Sequence, residues 1–138
     1  MIEEEVILVD EKDQQIGTMA KLQVHIEGKF HRAFSVFIFN SSGELLLQQR
    51  AFDKYHSAGK WTNTCCSHPL HFKEELESAN DHIGIKRAAR RRLDYELGIR
   101  SSDINLQDIH FITRIHYKAH NVPRDDIFGE HEIDYVLF

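Results

Sequence analysis

Two segments bring together side chains that can move protons and bind metals: Thr62-Asn63-Thr64-Cys65-Cys66-Ser67-His68-Pro69, and Gly129-Glu130-His131-Glu132-Ile133-Asp134-Tyr135 near the end of the chain. In extended backbone, side chains alternate, so Cys66 and His68 point to one face and Cys65 and Ser67 to the other. By the same rule Glu130 and Glu132 share a face. A thiol, an imidazole and two carboxylates presented in this way supply two acid/base groups and part of a metal site. Upstream, His25 and His31 offer two more imidazoles. His131-Glu132 also begins a zinc-protease pattern, but Tyr135 stands where that pattern needs its second histidine.

The bulk properties narrow the classes of protein that could carry such a site. With 138 residues the chain fits one domain with a real core. The charged fraction of 28% and hydrophobic fraction of 41% are those of an ordinary globular protein. A formal net charge of −5 gives no bulk attraction for nucleic acid or anionic membrane. Cys65 and Cys66 are neighbours and cannot staple distant parts of a fold, so they are read as reduced thiols. The acidic start Met1-Ile2-Glu3-Glu4-Glu5 is unlike a signal peptide, and no apolar run approaches the ~20 residues of a membrane span. A soluble, cytoplasmic protein is expected. Its 10 histidines, several close to carboxylates, suit metal binding and proton transfer near neutral pH.

The elements that must position these residues follow from periodicity. Val6-Ile7-Leu8-Val9 reads as a strand ending in a turn over Asp10-Glu11-Lys12-Asp13. The apolar run Phe34 to Phe39 and the segment Leu45 to Arg50, joined by Asn40-Ser41-Ser42-Gly43, read as two strands and a tight turn. The first is apolar on both faces and belongs inside a sheet. From Gly84 to Leu97, apolar residues recur every four positions at Ile85, Ala89, Leu93 and Leu97, which predicts a helix capped by Gly98. Phe111 to Tyr117 and Glu132 to Phe138 read as two further strands.

The helix also carries a recognisable pattern. Gly84-Ile85-Lys86-Arg87-Ala88-Ala89-Arg90-Arg91-Arg92-Leu93-Asp94-Tyr95-Glu96-Leu97-Gly98-Ile99 aligns with the Nudix box at Arg91, Leu93, Glu96, Gly98 and Ile99. Arg92 and Tyr95 stand where two metal-binding glutamates of that box belong, which argues against a hydrolase that activates water on metals. Taken alone, the basic helix could equally be a solvated surface. With His31-Arg32-Ala33-Phe34-Ser35-Val36-Phe37, Leu46-Leu47-Gln48-Gln49-Arg50, Thr62 to Pro69, Thr113-Arg114-Ile115-His116-Tyr117-Lys118-Ala119 and Gly129 to Tyr135 in order, the chain closely resembles the type 1 isopentenyl diphosphate:dimethylallyl diphosphate isomerases. The resemblance covers the sequence from about residue 6 onward and implies an α/β fold, a Nudix-type mixed β-sheet with a flanking helix.

The resemblance also implies a site. One divalent metal, magnesium, manganese or zinc, would be held by His25, His31, His68, Glu130 and Glu132. The substrate would be isopentenyl or dimethylallyl diphosphate, gripped by Lys21, Arg50, Lys54 and Arg92, with a second magnesium bridging its diphosphate to Glu96. Interconversion would pass through a tertiary carbocation, with Cys66 and Glu132, the latter assisted by Tyr117, exchanging protons on opposite faces of a dry pocket. Cys65 is expected to be a small buried hydrophobe. A Nudix hydrolase of a nucleoside diphosphate derivative and an inactive metal-binding fragment are the competing readings.

The chain stops on Val136-Leu137-Phe138, inside an apolar strand, where termini are usually polar. A C-terminally truncated domain is therefore expected. The resemblance implies a continuation bearing an aromatic residue that would face the cation. Trp61 is read as a core residue, with that cation-facing place as its alternative.

Overall fold

A computed structural model describes residues 4–53, 58–119 and 130–138. Its frame is a six-stranded mixed sheet with helices against it, the α/β arrangement expected. β1 (Glu5–Val9) and β2 (Gln15–Ala20) form an antiparallel hairpin. Its turn is made by Asp10, whose Oδ1 accepts from the backbone N–H groups of Lys12 and Gln14 at 2.9 Å each, with Asp13 at φ 59°. Short polar side chains that bond their own backbone make such turns.

The centre of the sheet is β3 (His31–Val36), which β1 flanks at its start and β6 (Cys65–Ser67) at its end. Its other edge pairs in parallel with β8 (Glu130–Leu137), which in turn pairs antiparallel with the edge strand β7 (Phe111–Ala119). The apolar run beginning at Phe34 thus lies inside the sheet, as its two-faced hydrophobicity requires.

The hairpin expected over Phe34–Arg50 is only partly regular. Asn40 Oδ1 accepts from Ser42 and Glu44 N–H to close the turn, and Phe39 bridges Leu45. Beyond that the ladder gives way, because buried Thr64 inserts between the two arms. Its hydroxyl donates to the Leu46 carbonyl at 2.6 Å and accepts from Ile38 N–H at 2.9 Å. Only β4 (Gln48–Gln49) remains, pairing with β5 (Trp61–Thr62) as a separate small ribbon. Trp61 on that ribbon is 66% exposed, which corrects its reading as a core residue.

Among the described residues, three α-helices complete the frame. The 7-residue α1 (Lys21–Glu27), which lacks the apolar period that would mark it in the sequence, ends at Gly28 with φ 64°. The short α2 (Lys73–Leu76) leads into α3 (Ala79–Leu97). The helix therefore begins before Gly84, but Asn80, Asp81 and His82 are left-handed, and regular turns start only after them. Ile85, Ala88, Ala89 and Leu93 are buried against Phe34, Val36, Tyr135 and Leu137, the non-site face of the central strands. Gly98, at φ 67°, caps the helix with its N–H on the Asp94 carbonyl, while Ile99 N–H reaches Leu93. Gly84 is required by crowding: a Cβ there would lie 2.5 Å from the Glu75 carbonyl oxygen.

Candidate active site

Strand register assembles the site. His31 pairs with Glu132, Glu132 with Tyr117, Ala33 with Asp134, and Ser35 with Cys66. Residues opposite one another in a ladder share a face, so four strands place an imidazole, two carboxylates, a phenol, a hydroxyl and a thiol on one surface. Lys21 and His25 from α1, and Arg92 and Glu96 from α3, line the same cleft. The cleft offers about 140 Å³ of free space. A cavity of roughly 150 Å³ admits a benzene-sized guest.

One part of the cleft has a composition that could hold a metal ion. Ligating atoms of His25, His31, His68 and Glu132 lie within 4.8 Å of one another. His31 Nε2 is 3.2 Å and His68 Nε2 3.3 Å from the same oxygen, Glu132 Oε1. His31 Nδ1–H donates to the Lys29 carbonyl at 2.8 Å, which leaves Nε2 with a lone pair facing the carboxylate when the ring is neutral. Two lone pairs so opposed need an extra proton or a cation between them. At His68, the second ring on that oxygen, burial drives the pKa down to about 4 and so works against an extra proton on that ring. The donor set fits a divalent ion. Glu130, on the same face of β8, lines the cleft but lies outside this four-residue cluster. Burial and the charge of Glu132 raise its pKa, with Arg50 pulling the other way.

Glu132 is the hub. Burial disfavours its charge, yet where His31 and His68 turn an N–H to it those bonds prevail and hold its carboxyl well below the usual range. Its second oxygen, Oε2, accepts from the Tyr117 hydroxyl at 2.6 Å. Burial and that neighbouring carboxylate push the Tyr117 phenol well upward, so the proton stays on the phenol oxygen.

The adjacent cysteines separate as alternation requires. Cys65 is fully buried on the core face, where its thiol donates to Glu96 Oε2 at 2.8 Å; burial first, then Glu96, raise its pKa. Cys66 opens to the cleft and its thiol donates to Asn63 Oδ1 at 2.8 Å. Desolvation raises its pKa, and the charges of Asp134 and Glu132 add to the effect.

The cleft also has a basic lining, from Lys21, Arg50 and Arg92. Arg92 is only 8% exposed and reaches Glu96 Oε1 at 3.2 Å. Among the described residues, Arg50 Nε and Arg92 Nε are buried without a hydrogen-bond partner, an arrangement that costs stability unless an anion answers it. Lys54 lies outside the described residues. The helix arginines are tethers rather than a solvated face: Arg91 grips Glu75 at 2.7 and 3.0 Å and the His68 carbonyl at 3.2 Å, and Arg87 holds Glu77. Trp61 does not line the cleft.

Sequence reasoning passed over Ser35 and Asp134. Asp134 is buried, accepts from the Ser35 hydroxyl at 2.8 Å, and has its pKa raised to about 6 by burial and by Glu132 and Glu130. The signal was present, since Asp134 continues the alternation of Glu130 and Glu132.

A mixed sheet, a helix ending in Glu96-Leu97-Gly98 beside the cleft, and a His/Glu cation set describe a class, and the sequence profile of the NUDIX domain matches residues 29–138: the chain belongs to the Nudix family. Within it, the chain is 52% identical over 145 residues to an isopentenyl-diphosphate delta-isomerase of Gibberella zeae, covering 100% of this chain and 56% of that protein. It is 53% identical to isopentenyl-diphosphate Delta-isomerase 1 of Bos taurus (95% of this chain, 58% of that one) and 50% identical to the enzyme of the same name from Mesocricetus auratus (100% and 61%). The chain thus spans between 56% and 61% of the length of these relatives. No helix among the described residues is long and apolar enough to cross a membrane.

Proposed function

We propose that the protein interconverts isopentenyl and dimethylallyl diphosphate. The observation that carries this reading is the single cleft that joins two proton-bearing groups, Cys66 and the Tyr117–Glu132 pair, to a His/Glu cation set and to buried arginine nitrogens awaiting an anion. The names of the relatives support the same substrate. Arg50 and Arg92, with Lys21 and Lys54, would take the diphosphate, the guanidinium groups by bidentate bonds and the ammonium groups as point charges.

The five-carbon chain then lies between Cys66 and Glu132. An alkene is a very weak base, so the reaction needs a proton delivered to the terminal methylene and another removed from the neighbouring carbon, through a tertiary cation. The resting protein holds one proton on the Cys66 sulfur, directed at Asn63, and one on Tyr117, directed at Glu132. Because isomerisation is reversible, each side serves as acid in one direction and base in the other. His25, His31, His68, Glu132 and Glu130 would hold a divalent ion, magnesium, manganese or zinc. When bound, it supplies the positive charge that keeps Glu132 ionised and in place. Glu96 would hold a second magnesium, which would supply positive charge to neutralise the diphosphate.

The hydrolase reading has less behind it. Arg92 and exposed Tyr95 occupy the places of two box glutamates, leaving Glu96 as the one carboxylate of the box, too few to activate water on metals. Incubation with isopentenyl diphosphate in deuterated water decides. We expect dimethylallyl diphosphate and deuterium incorporation without phosphate release. Phosphate release without isomer would support the hydrolase, and no exchange would support an inactive fragment.

A further inference from the structure

The sulfur of Cys66 is held from two sides by groups that are themselves held. On one side is Asn63, whose amide hydrogens both go to backbone, to the Val36 carbonyl at 2.9 Å and the Cys65 carbonyl at 3.2 Å. The amide therefore cannot turn without losing both bonds, and its Oδ1 must face the thiol, which it meets at 2.8 Å. The Thr62 hydroxyl donates to the same oxygen at 3.0 Å. On the other side, Ser35 Oγ lies 3.5 Å from the sulfur. Its hydroxyl donates to Oδ2 of buried Asp134 at 2.8 Å, which fixes where Oγ sits. The ladder that pairs Ser35 with Cys66 and Ala33 with Asp134 builds this second hold from three strands.

We propose that Asn63 and the Ser35–Asp134 pair are positioning residues that fix Cys66 in the one rotamer from which it exchanges a proton with the five-carbon chain. The proposal rests on the isomerase reading. A cysteine side chain has three staggered wells about its first torsion, and one that opens to a cleft has little packing to choose among them. Proton transfer needs the donor within hydrogen-bond reach of carbon, and a misplacement of about 1 Å costs on the order of 100-fold. Two anchored contacts, one from the bend before β6 and one from β3, supply the choice that packing does not. Neither Asn63 nor Ser35 needs to touch the reacting carbons.

The test has two readouts. Steady-state kinetics on isopentenyl diphosphate should show kcat of Ser35→Ala reduced about 10- to 100-fold with KM unchanged, since the diphosphate grip is untouched. Ser35→Thr, which keeps the hydroxyl, should recover most of the rate. Asp134→Ala should match Ser35→Ala, and the double variant should be no worse than either, because the two act as one contact. Independently of turnover, crystal structures of Ser35→Ala and Asn63→Ala should show Cys66 Sγ spread over a second rotamer. Full kcat in Ser35→Ala, failure of threonine to rescue, or a single unchanged rotamer in both variants would overturn the proposal. An inactive wild type would overturn the isomerase reading alone, and the rotamers would still decide the positioning.

Discussion

Asp134 gives a test of the site's electrostatics that needs no substrate. It is buried on the site face beside Glu130 and Glu132, and its pKa stands at about 6 against an ordinary 3.8, mainly through burial. Below about pH 4 the carboxyl is protonated in both folded and unfolded chains and contributes nothing. Between about pH 4 and pH 6 the unfolded chain has released the proton while the folded protein keeps it. Above that window the buried carboxylate is ionised beside two like charges. Stability from this group therefore falls as pH rises, and the separation of the two values corresponds to ~3 kcal/mol. Asp134→Asn cannot ionise and still accepts the Ser35 hydroxyl. Urea unfolding of chelator-treated wild type and variant at intervals from pH 4 to pH 8 should show the variant gaining on the wild type by ~3 kcal/mol across the series. Chelation matters, because a cation in the cluster would favour the ionised form. A stability difference that stays flat with pH, or that moves toward the wild type, would refute the reasoning.

Gly84→Ala should lose about 1–3 kcal/mol in the same unfolding assay, because its Cβ would strike the Glu75 carbonyl at 2.5 Å; an unchanged midpoint would contradict the close approach of α2 and α3. Cys66→Ala should abolish isomerisation and leave metal binding intact, whereas Cys65→Ala should lose on the order of 1 kcal/mol of stability and keep turnover. Equal losses of activity in the two cysteine variants would contradict the separation of their faces. Arg92→Ala should raise KM for isopentenyl diphosphate about 10- to 100-fold, the worth of a charge-assisted hydrogen bond, and an unchanged KM would remove Arg92 from the diphosphate grip.

The parts of the site that sequence made legible are those where a period or a spacing carries geometry. Alternation separated Cys65 from Cys66, and the four-residue apolar rhythm with Gly98 located the α3 helix and its end. The missed parts depend on contacts across long separations. Helix α1 is too short and too polar for a periodic signal, yet it delivers Lys21 and His25 to the cleft. The Leu45–Arg50 arm has strand-like composition, but Thr64 supplies the hydrogen bonds that a ladder would have made. Trp61 is apolar, and composition alone could not show that its two-residue ribbon stands away from the core. Asn80, Asp81 and His82 are left-handed before the regular turns of α3, a conformation that Asn, Asp and His tolerate better than other non-glycine residues. The arginines of α3 read as a charged surface, and only the fold shows Arg91 clamping Glu75 and the backbone of His68.

Glu132 is proposed as both cation ligand and proton carrier. The direct measurement is divalent-metal content and deuterium incorporation into isopentenyl diphosphate, read on one preparation of the wild type, of chelator-stripped wild type and of Glu132→Gln. An amide can still ligate weakly through oxygen but cannot titrate. We predict that Glu132→Gln retains much of the metal and loses exchange, and that stripped wild type is inactive until metal is restored. A Glu132→Gln protein exchanging near the wild-type rate, or a metal-free wild type at full rate, would contradict the account.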